Sequence, residues 1–196
     1  MKAAGNDRLR WGVLTDLAGV ELSRTKVIGA AHETLRGLRP IERTSVDHLA
    51  LISDVVSAIS TEARLRGVRV DLALPDSCRG IFFDGARCRD ALTGLLQCLL
   101  ALAPRAGTVI GVNAQIPSIR PALIVECLLH ESDPELNPEA LARFFEAGWR
   151  EHPCGPHGGP ILAVLAQTAR AHGGRVDVKV VAKGCLVTLV VPRLDG

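Results

Sequence analysis

The residues of this chain that could do chemistry are scattered, and their spacing excludes several kinds of site. Six cysteines stand at positions 78, 88, 98, 127, 154 and 185, with no Cys-x-x-Cys pair. Several fall inside apolar runs, which favours buried, reduced thiols over zinc ligands or disulfides. His130, His152 and His157 lack a spacing that would place a metal on one element, so no metal site is expected. The segment Gly155-Pro156-His157-Gly158-Gly159-Pro160 precedes an apolar helical stretch. Backbone amides at such a helix start can cradle an anion. The alternative is a flexible loop with Pro160 in the first helical turn, where its missing amide is tolerated.

The elements that must hold these residues follow from periodicity. Residues 8 to 36 read as a long helix, with Val13, Leu17, Val20, Val27 and Ala31 recurring mostly at three- and four-residue steps. A second helix is expected from Thr44 or Ser45, either able to cap it, through Leu49, Ile52, Val55, Val56, Ile59 and Ala63 to Gly67. The period then changes to two: Val68, Val70, Leu72 and Leu74 alternate with Arg69, Asp71 and Ala73, the pattern of a half-buried strand. Ile81-Phe82-Phe83 is a short apolar piece before a helix over 85 to 103. Strands follow at Thr108 to Ile116 and Ala122 to Leu129, then a helix from Pro138 to Ala147. After the glycine-rich loop come a helix to Ala171 and a hairpin of Arg175 to Val181 with Cys185 to Val191, turning at Ala182-Lys183-Gly184. Neighbouring strands are joined by connections too short for crossovers. The order therefore predicts an α/β (α+β) two-layer sandwich, a mixed sheet covered on one face by helices, with an N-terminal helix attached.

At 196 residues and 47% hydrophobic content, the chain can bury one sizeable core. A net charge of +2 gives no basis for a nucleic-acid footprint. No apolar run reaches the roughly 18 residues of a membrane span, and the first residues lack the hydrophobic stretch of a signal peptide. A cytoplasmic protein without membrane or nucleic-acid partners is expected.

Residues 84 to 104 resemble, without a gap, the helix carrying the N box of the Bergerat ATP-binding fold, as found in the catalytic domains of sensor histidine kinases. Asp84 and Arg87 match the Asp and Arg that open that helix. His172-Gly173-Gly174 is similar to the family's His-Gly-Gly before its last hairpin, and Val190-Val191-Pro192 to its closing strand. The resemblance covers about residues 45 to 193. It implies a division into a helical segment, 1–44, and an ATPase-like domain, 45–196, with His48 and His172 at framework positions.

What the resemblance implies for nucleotide chemistry is negative. The family's N-box asparagine positions hold Gly94 and Cys98, and a neutral thiol is a poor substitute for the hard oxygen ligand that Mg²⁺ requires. The first glycine-rich box aligns with Glu131-Ser132-Asp133-Pro134-Glu135-Leu136, found by counting back from Phe145 and Glu146. Glu131 keeps a carboxylate at the adenine-binding position. Asp133 and Glu135 replace glycines and add bulk and negative charge beside a polyphosphate. The second box survives partly, as Gly155, Gly158 and Gly159, with Ile161 at its later glycine. Trp149, in the expected lid region, reads either as a contact residue or as a cover for the vacated cleft.

His32-Glu33-Thr34-Leu35-Arg36 resembles the phosphoacceptor box of the same kinases, where a neutral imidazole takes a phosphoryl group. Its Leu-Arg is displaced by one residue, and the short connection to Ser45 leaves no room for a full antiparallel partner helix. The implied function is a catalytically inactive, histidine-kinase-like signalling module that binds a response regulator, a kinase or a transcription factor. No catalytic residue or cofactor is expected, and residues 8 to 36 serve as a homodimer helix. The alternatives are a phosphotransfer protein relaying phosphate through His32, and a true kinase or anti-sigma-like switch using ATP and Mg²⁺.

Overall fold

The computed structural model describes residues 41–76, 81–103, 106–117, 122–132 and 136–192, with single helical positions between 21 and 33. His32, Asp133, Glu135 and most of the proposed dimer helix lie outside the described residues. In chain order the elements are β1 (Thr44–Val46), α1 (His48–Leu65), β2 (Arg69–Ala73), β3 (Ile81–Phe83), α2 (Gly85–Leu102), β4 (Val109–Gln115) and β5 (Ala122–Leu129), followed by α3 (Pro138–Ala142), α4 (Gly158–Ala171), β6 (Arg175–Val181) and β7 (Gly184–Pro192).

Five strands form one mixed sheet in the order β2-β4-β5-β7-β6. Only β2 and β4 run parallel, and the chain between them is long enough for a crossover because it contains α2. The other neighbours are antiparallel. Period-two alternation decides which face is covered. Val112, Cys127, Val187 and Val178 lie side by side across four strands, and the first three are buried. The adjacent row, Gly111, Leu128, Leu186 and Lys179, points the other way and none of it is buried. The result is the expected two-layer sandwich.

The helices supply the second layer. α1 buries a stripe of Leu51, Ile52, Val55, Val56, Ile59 and Ala63, the positions its 3.6-residue period brings to one side. α2 is buried on nearly all sides because it packs against α1 and α4 and faces the common core; Leu99 and Leu102 are fully enclosed. Burial of each such leucine contributes about 1.5–3 kcal/mol. Ala31, at one of the described helical positions before β1, is also buried in this core, with Ile28 packed against it.

Two expected boundaries move. Thr44–Val46 is not the start of a helix but a strand, antiparallel to β3 with Thr44 opposite Phe83 and Val46 opposite Ile81. The cap of α1 is Asp47, whose Oδ1 accepts the Ala50 N–H at 3.0 Å. Aspartate caps better than threonine, and β-branched Val46 gains a strand partner. The helix expected to reach Ala147 stops at Ala142. Beyond it the Phe144 N–H reaches the Leu141 carbonyl and the Glu146 N–H the Arg143 carbonyl. These three-residue turns change the helix phase and put Phe144, which is fully enclosed, into the core.

Candidate functional site

The wall of the candidate cleft is α2, and its N-terminus is fastened from several directions. Asp84 caps the helix, its Oδ1 accepting the Arg87 N–H at 2.9 Å. Its Oδ2 accepts the Glu42 N–H at 3.2 Å and lies 3.6 Å from Arg87 Nε. The Asp84 N–H donates to Nε2 of His172 at 2.9 Å. Because Nε2 is the acceptor, the imidazole proton sits on Nδ1 and is donated to the Thr168 carbonyl at 2.7 Å. Asp84, Arg87 and His172, matched in sequence to family positions, thus serve here as a buried clamp between the start of α2 and the end of α4.

Gly94 and Cys98 are one turn apart on α2, on the same face, and both are buried. Cys154 is a loop residue ahead of α4, and interaction with Cys98 first, and burial second, drive its thiol far up from its ordinary pKa. Burial also pushes Cys127 and Cys185 up to about 12. The thiols of Cys127, Cys154 and Cys185 are therefore neutral.

The segment from Arg143 to His157 packs against the start of α4, with His152 as its pin. His152 is buried; its Nε2 meets the Phe144 carbonyl at 3.0 Å and its Nδ1 accepts the Cys154 N–H at 3.0 Å. Both ring nitrogens are satisfied in the neutral form, and burial lowers the pKa against the smaller raising effect of the Phe144 bond. The Trp149 ring packs on His152 with centroids 4.9 Å apart, and the Arg143 guanidinium sits 5.1 Å above the indole. Trp149 is half-buried as a cover for this segment.

Gly158 and Gly159 are required by packing. A Cβ on Gly158 would collide with the His152 ring and lie 2.8 Å from the Cys154 Cβ; one on Gly159 would lie 2.5 Å from the Glu146 carbonyl oxygen. The Gly158 N–H is already bonded to the Gly155 carbonyl at 3.0 Å. Gly155 adopts φ 91 and has open space around it. Glu131 is placed by different contacts. It forms a parallel bridge with Lys183 and lines a cavity of about 280 Å³ together with Thr108, Val109 and His130.

The structure thus brings Gly158 and Gly159 against the segment 143–157, while Cys98 is buried on α2 and Glu131 belongs to the sheet end. Cys154 and His152, which organise the site, were not singled out by spacing. The one available signal was Cys154's place beside the glycine box. Among the described residues, no group of three His, Cys, Asp or Glu side chains could hold a metal ion, and no helix is long and apolar enough to cross a membrane.

No family model matches the chain, and no curated protein matches it. Solved structures do. The chain superposes on the nucleotide-free catalytic domain of the histidine kinase ThkA with a TM-score of 0.67 at 15% identity, covering 78% of this chain and 96% of that one. ThkA in complex with the response regulator TrrA gives a TM-score of 0.68 at 16% identity, over 89% of this chain and 48% of that one. Full-length ShkA in complex with AMPPNP gives 0.67 at 21% identity, over 81% of this chain and 32% of that one. The chain spans about half of the ThkA chain in that complex and a third of full-length ShkA. With its mixed sheet, single helical layer and clamped α2, this chain has the fold of a sensor histidine kinase catalytic domain.

Proposed function

We propose that this domain is a catalytically silent signalling module that keeps the kinase fold to bind a protein partner and has given up ATP chemistry. The observation that carries this reading is the pair Gly94 and Cys98, buried one turn apart on α2. Where the resembling family places an oxygen donor for Mg²⁺, this chain has a buried sulfur. Sulfur is soft, and Mg²⁺ selects hard oxygen ligands at near-octahedral geometry.

The glycine box points the same way. A Cβ on Gly158 or Gly159 would meet atoms of residues 146–154, so the space a bulkier residue would take is filled by the chain itself. ShkA was determined with AMPPNP; the residues of this chain do not suit such a ligand. ThkA was determined with a response regulator, which makes a response regulator our choice of partner class. The segment 1–44 is assigned to homodimerisation and the domain 45–196 to docking.

Phosphotransfer assays test the assignment. The full chain incubated with γ-labelled ATP and Mg²⁺ is expected to acquire no acid-labile label, while its binding to a response regulator persists in His32→Ala. Label from ATP on the wild type that disappears in His32→Ala contradicts this reading and favours an active kinase, whereas label acquired only from a phosphorylated partner favours relay through His32.

A further inference from the structure

The five-stranded sheet ends on one side at β2, where no described strand pairs with the outer edge. At the opposite end, β6 has α3 packed beside it. The Arg69 N–H donates to the Thr108 carbonyl at 2.9 Å, so the backbone groups of Arg69 face β4. These groups alternate in direction along a strand, and those of Val70 and Leu72 therefore point away from β4, toward the free edge. The side chains alternate between the two faces as well. Val70 and Leu72 stand beside Ile110 and Val112, which are buried, yet are themselves only half-buried because the row stops at β2. Arg69 and Asp71 lie on the opposite face, ion-paired at 3.0 Å with side chains 70% and 53% exposed.

We propose that β2 pairs antiparallel with β2 of a second copy about a two-fold axis at Val70, joining two five-stranded sheets into one continuous sheet. Charge selects this register. Centred on Val70, the pairing lets the Val70 N–H of each copy donate to the Val70 carbonyl of the other, and it sets Arg69 opposite Asp71 twice. Those flanking positions are the non-hydrogen-bonded ones, where Cα atoms are about 4.5 Å apart and side chains lie closest. Centred on Asp71, the same strands would bring two carboxylates face to face. Centred on Leu72, they would set Asp71 against Ala73 and leave both arginines without a carboxylate.

Edge strands are commonly protected by charged side chains, lysine above all, and like charges repel a second copy. One arginine and one aspartate, two residues apart, repel nothing in the Val70 register. Their exposed pairing within one chain contributes little, so exchanging it for two cross-strand pairs costs little. On the helix side, Val70 meets Val70 of the second copy and the apolar row continues past Ile110. The contact is isologous and closes at two copies. It is independent of the silent cleft and of the N-terminal segment, to whose pairing it would add a further association step.

The contact is short and of the weak, reversible kind. Sedimentation of the full chain over a concentration series up to about 1 mM populates even an interface with a Kd of about 1 mM. The expected result is a concentration-dependent association step that Arg69→Asp and Asp71→Arg each weaken about tenfold or more. Mixing the two variants should restore it, because the two acidic positions of one then face the two basic positions of the other. Amide exchange followed by NMR needs no variant: the Val70 N–H of the wild type should exchange more slowly as protein concentration rises, while the amides of β4 do not change. The proposal is overturned by an association step indifferent to both substitutions, by no rescue in a mixture of variants with unchanged circular dichroism, or by Val70 exchange that does not depend on concentration.

Discussion

The backbone N–H of Asp84 donates to Nε2 of His172 at 2.9 Å, joining positions 88 residues apart. Through this bond the N-terminus of α2 and the C-terminus of α4 are fixed to one another, and α2 is the wall that carries Cys98. The same aspartate caps its own helix and accepts the Glu42 N–H. One side chain thus sets the entry of β1 and the start of α2.

Asp84→Ala should therefore be strongly destabilising, by about 1–3 kcal/mol. It removes a helix cap and leaves the Glu42 and Arg87 amides to find other partners. Arg87 would also keep its guanidinium without the carboxylate beside it. Urea unfolding with an unchanged m-value measures the loss. A variant as stable as the wild type would show that the clamp contributes nothing.

Gly159→Ala probes the packing of the covering segment. The added Cβ would lie 2.5 Å from the Glu146 carbonyl oxygen, and a backbone atom cannot swing aside as a side chain can. Overpacking of this kind costs about 1–3 kcal/mol. Hydrogen exchange should then be faster over residues 143–157 than in β4 or β5. Unaltered protection there would mean that the contact can relax without cost.

Much of the fold was legible because its periods are unambiguous. The apolar run over residues 122–129 marks β5 with the bounds observed, and the stripe through Ile52, Val55, Val56, Ile59 and Ala63 marks α1. β1 was not legible, since three residues carry no period and their partner is a distant strand, Ile81–Phe83. At the site, Cys98 could be identified because it occupies a position on an unbroken helical match. His152 and Cys154 could not, because they sit in an aperiodic loop and acquire their roles only through bonds to Phe144 and to one another. His32, Asp133 and Glu135 lie outside the described residues, and their roles stay with the proposal.

Acid should loosen the domain through its buried histidines. Burial lowers the pKa of both His48 and His152 below the ordinary value of 6.5. The unfolded chain then binds more protons than the folded one, so their contribution is complete above pH 6.5 and is lost as pH falls toward the folded values. The melting temperature is expected to drop between pH 7 and pH 5, with each histidine adding a slope of at most about 1.4 kcal/mol per pH unit. His152→Gln should flatten part of that dependence. An identical pH profile in the variant would remove His152 from the account.

Dimerisation through the N-terminal segment predicts a mass by light scattering of twice the 20.9 kDa of one chain. An apolar helical stripe left uncovered favours such pairing. Ala31 and Ile28 already use part of the helix against the body of the domain. A monomer at micromolar concentration would indicate that this packing, and not a second chain, covers the stripe.

The central claim is that the cleft beside Cys98 no longer serves Mg-ATP, and a thermal titration of the full chain addresses it most directly. A ligand that binds only the native state stabilises it by RT ln(1 + [L]/Kd), so a Kd of about 100 μM at about 1 mM ligand would add roughly 1.4 kcal/mol. Our account predicts no shift in melting temperature with Mg-ATP up to millimolar concentration. A saturable rise that requires Mg²⁺ would contradict it.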